Sequence, residues 1–322
     1  MVRLSMLALV ARGYGPPEEY EIAEVPVPEP GPGQIRVRVA AMSVNPADVR
    51  LPAGDFRGTV ELPFPHIPGN DFAGTVDALG PGVGRWAPGE EIFGFATPRA
   101  LRHMGSSSLS TGALAQYAVF EAETPFLAHR PAGLDVAQAA ALPTVGLTAR
   151  ALLASAGLTP GERVLVVGAT GGVGTTVLPL LAAAGAHVVA TARDGDAGIV
   201  RSLGAAEVIA YDDYPAGVDL ALNLVVPGDR LAPIAAAVRP GGRLLTITFP
   251  PPPAFDGVDV RLVLDMQARH GGMAEVAADA VAGRLRARID REYAFADAAS
   301  ALAHFARWHK TGKLVVRVPS LT

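Results

Sequence analysis

The chain has 322 residues, of which 50% are hydrophobic and 18% are charged, and its formal net charge is −4. This length predicts two domains, and the apolar content is too high for intrinsic disorder. The small negative charge gives no broad electrostatic footprint for nucleic acid or for anionic lipid. Because the sequence has no cysteine, disulfides, a cysteine nucleophile, Fe–S clusters and thiolate zinc sites are excluded.

The first 124 residues are rich in Pro and Gly, with short β-branched runs between turn signals. Residues 35–39 alternate apolar and polar side chains with period two, which is the pattern of a half-buried strand. Residues 75–79 and 115–119 are further strand candidates. This pattern predicts an irregular β-rich domain.

The apolar segment at residues 4–11 follows Arg3 and has the length of a short signal peptide. It leads into another strand-like run without an A-x-A-like cleavage site, so we expect no signal peptide. The sequence contains no apolar run of roughly 18 residues or more, which predicts that no helix crosses a membrane. We therefore expect a cytoplasmic protein.

From about residue 125 the sequence alternates between apolar strands and helices. The predicted strands cover residues 163–167, 187–191, 207–209, 218–224 and 243–248, with 258–264 as a sixth. The predicted helices include one that ends at Ala184 and those at 199–203, 232–238 and 274–282. Uninterrupted apolar strands that alternate with helices predict a doubly wound parallel sheet, covered on both faces. The strand-like tail at 314–318 resembles the β-rich pattern of the first 124 residues. We therefore expect a Rossmann-type domain at 125–290 between two parts of a β-rich domain, 1–124 and 291–322.

A glycine-rich turn, GATGGVG at residues 168–174, joins the strand at 163–167 to the next helix. Glycines allow a sharp turn and let a pyrophosphate approach the free N–H groups and the positive end of the helix. The alternative is an ordinary tight turn between a strand and a helix. The context of repeated strand–helix units favours a dinucleotide site, with contacts from Ala169, Thr170, Gly171, Gly172, Val173 and Gly174.

The end of the second strand of this domain indicates which dinucleotide is bound. A site for NAD has Asp or Glu there, about 20 residues after the glycines, to bind the ribose 2′-hydroxyl. Here the corresponding residue is Ala192, and the next residue, Arg193, is a natural partner for a 2′-phosphate. A shift of register by two residues would place Asp194 in the acidic position instead. The charge pattern predicts NADP(H).

Short motifs occur in a fixed order along the whole chain. They lie at residues 28–33, 43–48, 68–74, 112–117, 142–149, 168–174, 201–205, 240–243 and 312–313. Together they resemble the medium-chain dehydrogenase/reductase superfamily, specifically its zinc-independent, quinone oxidoreductase-like (zeta-crystallin-like) branch. The resemblance implies a GroES-like β-rich domain, split across both ends of the chain, beside a Rossmann domain. It also implies hydride transfer from NADPH to a quinone or an α,β-unsaturated carbonyl.

Metal binding is not expected. Zinc-dependent relatives place ligands at a Cys near the Asn45 segment and in a G-H-E segment, which here reads Gly69-Asn70-Asp71. His66 lies close by, but a single histidine in a Pro-rich loop is more often a pocket wall or surface residue than a ligand.

Positions that match the family's motifs are the candidate site residues. The resemblance implies that Asn45 lies beside nicotinamide and substrate, that Thr148 contacts the nicotinamide end, and that Tyr211 packs near the adenosine 2′-phosphate. The other implied cofactor contacts are Thr248, Phe249 and Lys313, and the implied substrate pocket is lined by Phe56, His66 and Phe249. Each of four candidates also has a structural alternative. Asn45 could form a turn before Pro46, and Thr148 could supply a hydroxyl at a helix start. Tyr211 could be a surface aromatic residue and Lys313 a solvated lysine.

The tyrosine that serves relatives as a proton donor is missing, because Arg50 and Phe56 occupy its two usual positions. The catalytic candidates are therefore Asn45, Asp48 and Arg50, with the proton coming from Asp48, from water held by Arg50, or from solvent. Substrate choice is expected to reside in residues 50–66 and 98–112, whose serines at 106–108 suggest a mobile flap.

Two other functions stay open at this point. One is a tailoring enoyl reductase for a polyketide intermediate, and the other is a non-catalytic NADPH-binding protein of the crystallin or sensor kind. We also expect a homodimer that pairs through the apolar edge strand at 258–264.

Overall fold

The computed structural model describes residues 4–320. The strands are β1 (Ser5–Val10), β2 (Glu21–Pro26), β3 (Gln34–Ser43), β4 (Asp71–Leu79), β5 (Glu91–Phe95), β6 (Thr97–Pro98), β7 (Leu109–Ser110), β8 (Tyr117–Glu121), β9 (Leu127–His129), β10 (Arg163–Val167), β11 (His187–Thr191), β12 (Glu207–Ile209), β13 (Val218–Asn223), β14 (Val238–Thr246), β15 (Asp259–Leu262), β16 (Ile289–Ala294) and β17 (Lys313–Arg317). The helices are α1 (Pro46–Ala53), α2 (Val136–Ala141), α3 (Pro143–Ala156), α4 (Gly172–Ala183), α5 (Ala197–Ser202), α6 (Ala232–Ala237), α7 (Met273–Val281) and α8 (Ala298–Arg307). Short 3-10 helices lie at Pro17–Glu19, Arg99–Met104, Asp194–Asp196, Gly228–Arg230 and Phe295–Asp297.

A nine-stranded sheet forms the β-rich part of the molecule. Its order is β6-β7-β8-β3-β4-β5-β9, and β17 pairs with the end of β3 and carries β16. The long strand β3 alternates buried residues with partly or fully exposed ones in its first half, as its period-two pattern predicts. The pairing of β17 with β3 brings residues near 313 beside residues near 43, which are far apart in the sequence.

The second sheet is parallel throughout, in the order β12-β11-β10-β13-β14-β15. Strand β10 is buried except at its first residue, because helices cover both faces of the sheet. The strand order reverses between β10 and β13, and ligands of such sheets bind at the carboxyl ends of the strands at this point. The predicted α/β class, with a Rossmann sheet beside a split β-rich domain, is confirmed.

Two predicted features differ in detail. Strands β9 and β16 belong to the nine-stranded sheet of the β-rich domain. However, β9 lies after residue 124 and β16 begins before residue 291, which are the predicted limits of that domain. The exact division of the chain into domains stays a prediction. Helices α2 and α3 were not predicted from the sequence.

The two parts of the molecule meet beside the glycine-rich turn. The Gly312 N–H donates to the Thr170 carbonyl oxygen at 2.9 Å, and Gly312 forms an isolated parallel bridge with Gly171. The start of α3 is likewise tied to β4, through a side chain described below. These contacts place the first residues of α4 next to the first residue of β17.

Candidate active site

The glycine-rich turn has the backbone features that an anionic ligand requires. Gly168 has φ +93°, a left-handed conformation that favours glycine. A Cβ added at Gly174 would lie 2.4 Å from the Gly168 carbonyl oxygen, so helix and turn approach closely only because this residue is glycine. A Cβ at Gly171 would meet nothing nearer than 3.5 Å, which leaves the backbone there open to a ligand.

The first N–H groups of α4 have no acceptors within the helix. They belong to Gly172, Val173 and Gly174, which directly follow the N-cap residue Gly171. Ala169 and Thr170 are buried in the turn, and the Thr170 carbonyl is already used by Gly312. The turn can therefore hold a pyrophosphate through backbone groups, with the positive end of the helix behind them.

Two exposed side chains stand at the ends of the next two strands. Arg193 and Tyr211 each lie two residues past the end of their strand. Since the strand ends Thr191 and Ile209 pair in the parallel register, the two side chains occupy corresponding positions. Ala192 is buried, whereas Arg193 is exposed and its guanidinium has no hydrogen bond or ion pair to another of the residues 4–320. The edge beside the glycine turn thus offers a free guanidinium where an acid would bind a 2′-hydroxyl.

A polar group at the end of β13 was not predicted from the sequence. The Asn223 side-chain amide donates to the hydroxyls of Thr246 and Thr248, at 2.8 and 3.0 Å. Thr248 in turn donates to the Val226 carbonyl oxygen at 2.7 Å, while Phe249 is 40% exposed. A polar residue that ends an otherwise apolar strand at the carboxyl edge was the available signal for Asn223.

Lys313 is buried, so the alternative of a solvated lysine is wrong. Its side chain is 4% exposed, and its Nζ donates to Asn45 Oδ1 at 2.6 Å, to the Val44 carbonyl oxygen at 3.0 Å and to Asp71 Oδ2 at 3.3 Å. Burial lowers the pKa of Lys313, and the nearby carboxylates of Asp71 and Asp48 oppose this effect. A paired ammonium therefore lies at the boundary between the two sheets.

Asp71 is a second site residue that was not predicted from the sequence. Its Oδ2 accepts from Ser43 Oγ at 3.2 Å, and its Oδ1 accepts from Thr144 N at 3.1 Å and from Thr144 Oγ1 at 2.7 Å. Thr144 is the second residue of α3, so the carboxylate also faces the positive end of that helix. We call Ser43, Asn45, Asp71, Thr144 and Lys313 the Lys313 cluster.

The Asp48 carboxylate accepts hydrogen bonds at the start of α1. Its two carboxylate oxygens accept from the backbone N–H groups of Asn45 at 2.8 Å and of Gly69 at 3.0 Å. Burial raises the pKa of Asp48 to about 7, and these two hydrogen bonds work against the rise. Asn45 is the N-cap residue of α1, so its backbone has the role in chain reversal that the turn alternative predicted, while its side chain lies in the Lys313 cluster.

Arg50 and Phe56 lie outside the Lys313 cluster. The Arg50 Nε donates to Asp55 Oδ2 at 2.8 Å, and its guanidinium carbon lies 4.9 Å from the centre of the Phe56 ring. The Arg50 side chain is 47% exposed, so the structure does not bring it to Asn45. Phe56 packs at the edge of a small apolar cluster that includes Leu51.

His66 is 7% exposed, and burial lowers its pKa to about 4. The imidazole is therefore neutral near pH 7. Thr148 is half-buried in the middle of α3, and the helix-start hydroxyl belongs to Thr144 instead.

The serines of the expected flap have defined partners. Thr97 Oγ1 donates to Ser106 Oγ at 3.0 Å, and Ser108 Oγ donates to the Phe95 carbonyl oxygen at 2.7 Å. Both serines are buried. Their small size allows close packing beside β6, and the mobile flap stays a prediction.

Comparison with known proteins identifies the family. Residues 31–130 match the model described as "Alcohol dehydrogenase GroES-like domain", and residues 203–316 match "Zinc-binding dehydrogenase". The 2-methylene-furan-3-one reductase of Solanum lycopersicum is 31% identical over 67% of this chain, which spans only 55% of that protein's length. The "NADPH-dependent alkenal/one oxidoreductase, chloroplastic" of Arabidopsis thaliana is 29% identical over 86% of this chain and 70% of its own. A solved structure of an alcohol dehydrogenase superfamily protein from Novosphingobium aromaticivorans has a TM-score of 0.80 at 30% identity, and the match covers 98% of this chain and 100% of that one.

With a Rossmann sheet, a GroES-like domain and these matches, the chain belongs to the medium-chain dehydrogenase/reductase superfamily. Further relatives are named quinone oxidoreductases, which places it in the quinone oxidoreductase-like branch and confirms that part of the resemblance seen in the motifs. Within residues 4–320, no group of three or more His, Asp or Glu side chains gathers as a metal site would require. No described helix is both long and apolar enough to span a bilayer.

Proposed function

We propose that this protein is an NADPH-dependent reductase that acts, without zinc, on a quinone or an α,β-unsaturated carbonyl compound. The observation that carries the proposal is the position of Asn45. Its amide is buried and is held by Lys313, whose stem lies against the glycine-rich turn. A bound nicotinamide would supply the hydride, so the protein's task is to orient the reactants and to stabilise developing charge.

The preference for NADPH rests on the open edge of the Rossmann sheet. The glycine-rich turn offers backbone N–H groups for a pyrophosphate, and Arg193 offers an unpaired guanidinium for a 2′-phosphate. Tyr211, at the corresponding position of the next strand, would flank the adenosine end. The name of the Arabidopsis relative supports the same cofactor.

The role we assign to Asn45 is that of a hydrogen-bond donor to the substrate oxygen. Reduction at the β-carbon of an enone leaves negative charge on the carbonyl oxygen, and a fixed donor in a dry site stabilises that charge more than it stabilises the neutral carbonyl. Since its Oδ1 accepts from Lys313, the amide nitrogen is the end of Asn45 that can face a ligand. No metal is required for this arrangement.

The proton that completes the reduction is assigned to solvent. Arg50 is engaged by Asp55 at the surface, and both oxygens of Asp48 accept backbone N–H groups. Asp48 is the alternative donor, because its raised pKa lets it carry a proton near neutral pH.

The substrate pocket we propose has Phe56 and His66 on the catalytic side and Phe249 on the Rossmann side. We place Thr148, Thr248 and Lys313 near the nicotinamide end of the cofactor.

The test is NADPH oxidation with a panel of quinones, enones and an enoyl thioester, together with NADPH binding followed by fluorescence. We expect oxidation with quinones or enones, at a rate that prolonged chelator treatment leaves unchanged. Oxidation with the thioester alone would favour the polyketide-type enoyl reductase. Tight NADPH binding without oxidation of any substrate would favour the non-catalytic function, and loss of the rate that zinc restores would contradict the zinc-free chemistry.

We also propose a cytoplasmic homodimer that pairs through β15. This strand lies at the edge of the Rossmann sheet, and Val260 at its centre is half-buried. An edge strand with free backbone groups invites pairing with a second copy. Light scattering at micromolar protein should give twice the chain mass, and a monomer would contradict the assignment.

A further inference from the structure

The contact between Lys313 and Asn45 determines which end of the Asn45 amide is free. An ammonium group has donors and no acceptor, so a hydrogen bond from Lys313 Nζ must go to the amide oxygen. The distance of 2.6 Å to Oδ1 is that of a short charge-assisted bond. The Asn45 Nδ2 makes one long hydrogen bond, 3.3 Å to the Ser43 carbonyl oxygen, and an amide nitrogen carries two hydrogens. One N–H therefore stays available for a ligand.

Lys313 is itself held from three sides. Its Nζ contacts Asp71 and the Val44 carbonyl in addition to Asn45, and the Asp71 carboxylate is oriented by Ser43 and Thr144. The side chains of the ion pair are 4% and 0% exposed, so water does not compete for these bonds. A buried ammonium with three fixed acceptors cannot change its position without breaking a paired charge.

The stem of Lys313 also lies against the glycine-rich turn. A Cβ added at Gly172 would lie 2.8 Å from Lys313 Cδ, and the preceding residue, Gly312, donates its N–H to the Thr170 carbonyl oxygen at 2.9 Å. One lysine thus contacts both the turn that could hold the cofactor and the amide that could bind the substrate.

We infer that Lys313 is a positioning residue. Its ammonium keeps the Asn45 amide turned with the nitrogen toward the substrate oxygen, and its stem sets the distance between Asn45 and the cofactor-binding turn. This inference rests on the proposed reductase function, in which Asn45 donates to that oxygen. It gives Lys313 a role that does not require direct contact with either reactant.

The test uses a charge-balanced variant, Lys313→Met with Asp71→Asn, compared with Asp71→Asn alone. Removing both charges leaves no unpaired buried ion in the double variant, and in the Asp71→Asn reference the ammonium keeps Asn45, the Val44 carbonyl and the new amide oxygen as acceptors. We expect kcat to fall at least about tenfold relative to Asp71→Asn, with the NADPH dissociation constant changed by less than about twofold. Lys310→Met is the matched control, because Lys310 contacts Phe305 and not Asn45, and kcat should not change.

Adding Asn45→Ala shows whether Lys313 acts through Asn45. If it does, Asn45→Ala lowers kcat much less in the Lys313→Met/Asp71→Asn protein than in Asp71→Asn, because the amide there is already misoriented. An equal loss in both backgrounds would overturn the inference. Weaker NADPH binding with an unchanged kcat would also overturn it and would make Lys313 a cofactor contact.

A spectroscopic measurement separates this inference from the proposed function. The side-chain amide signal of Asn45, assigned by its loss in Asn45→Ala, should shift in the Lys313→Met/Asp71→Asn protein relative to Asp71→Asn and should not shift in Lys310→Met. An unmoved signal overturns the inference even in an active enzyme. If the parent protein reduces no substrate, the proposed function fails while the amide signal still decides whether Lys313 orients Asn45.

The contact can also be observed from the lysine side if the double variant does not fold. The chain contains two lysines, Lys310 and Lys313, so protein labelled with ¹⁵N-lysine has two Nζ signals. Asn45→Ala should shift the Lys313 signal and leave that of Lys310 in place. Two unmoved signals would overturn the inference.

Discussion

The two sides of the proposed site are built in opposite ways. On the nucleotide side, the ligand-binding groups are a glycine backbone and an exposed Arg193, and they come from one continuous stretch of chain. On the catalytic side, Asn45, Asp71 and Lys313 are buried and bind one another across as many as 268 positions of sequence. A change on the nucleotide side should therefore alter ligand binding alone, whereas a change on the catalytic side should alter stability, rate or both.

The largest effect is expected for Asp71→Ala. This variant leaves Lys313 as a buried ammonium without its carboxylate, and breaking a buried ion pair in this way costs about 3–5 kcal/mol of the free energy of unfolding. Chemical denaturation measures the loss. Asp55→Ala, which removes an exposed partner of Arg50, is the control and should cost less than about 1 kcal/mol. Equal losses in the two variants would show that the Lys313 cluster is not buried as described.

His66 should make the protein less stable in acid. Burial lowers its pKa to about 4 in the folded protein, from 6.5 in the unfolded chain. Between these pH values the unfolded chain binds a proton that the folded protein does not, so the free energy of unfolding falls as the pH drops through this window. The loss amounts to roughly 3 kcal/mol at its limit. His66→Phe should remove this part of the pH dependence, and an unchanged slope would contradict the burial of His66.

Asn45→Ala tests the catalytic side by rate. Loss of one fixed donor to a developing oxyanion should lower kcat by about 10²-fold, or roughly 2.7 kcal/mol. The dissociation constant of NADPH should change little, because the cofactor's phosphates are held by the other side of the site. Steady-state kinetics and fluorescence binding measure the two quantities, and an unchanged kcat would reduce Asn45 to its N-cap role.

Arg193→Ala tests the nucleotide side. Loss of hydrogen bonds to a charged phosphate should weaken NADPH binding by about 1.5–3 kcal/mol, with little effect on NADH. The free energy of unfolding should stay within about 0.5 kcal/mol, since Arg193 is exposed. Arg201→Ala, an exposed arginine on the following helix, is the matched control and should leave both affinities unchanged. Equal affinity of the parent protein for NADPH and NADH would contradict the assignment of the strand end.

The same contrast explains what could be predicted from the sequence. Strand β10, the glycine-rich turn and the end of β11 are local patterns, and the predicted bounds of both strands agree with the structure. The roles of Asp71 and Thr144 depend on the pairing of distant strands and on where α3 begins, so no local pattern indicates them.

The different placements of Asp48 and Arg50 follow from helix geometry. Two residues on an α-helix are about 200° apart around its axis, so neighbours at this spacing face opposite sides. Asp48 therefore points into the protein, and Arg50 points to solvent. No helix was predicted at residues 46–53, so there was no basis for separating the two candidates by this spacing.

The central claim is hydride transfer from NADPH to a conjugated carbonyl compound, and isotope transfer tests it most directly. The protein would be incubated with an enone and NADPH deuterated at the transferred position of the nicotinamide, and the product analysed by mass spectrometry and NMR. We expect one deuterium at the β-carbon and a solvent proton at the α-carbon. With quinones, the oxidation of the cofactor is measured instead. A protein that binds this NADPH but gives neither a deuterated product with enones nor cofactor oxidation with quinones would contradict hydride transfer.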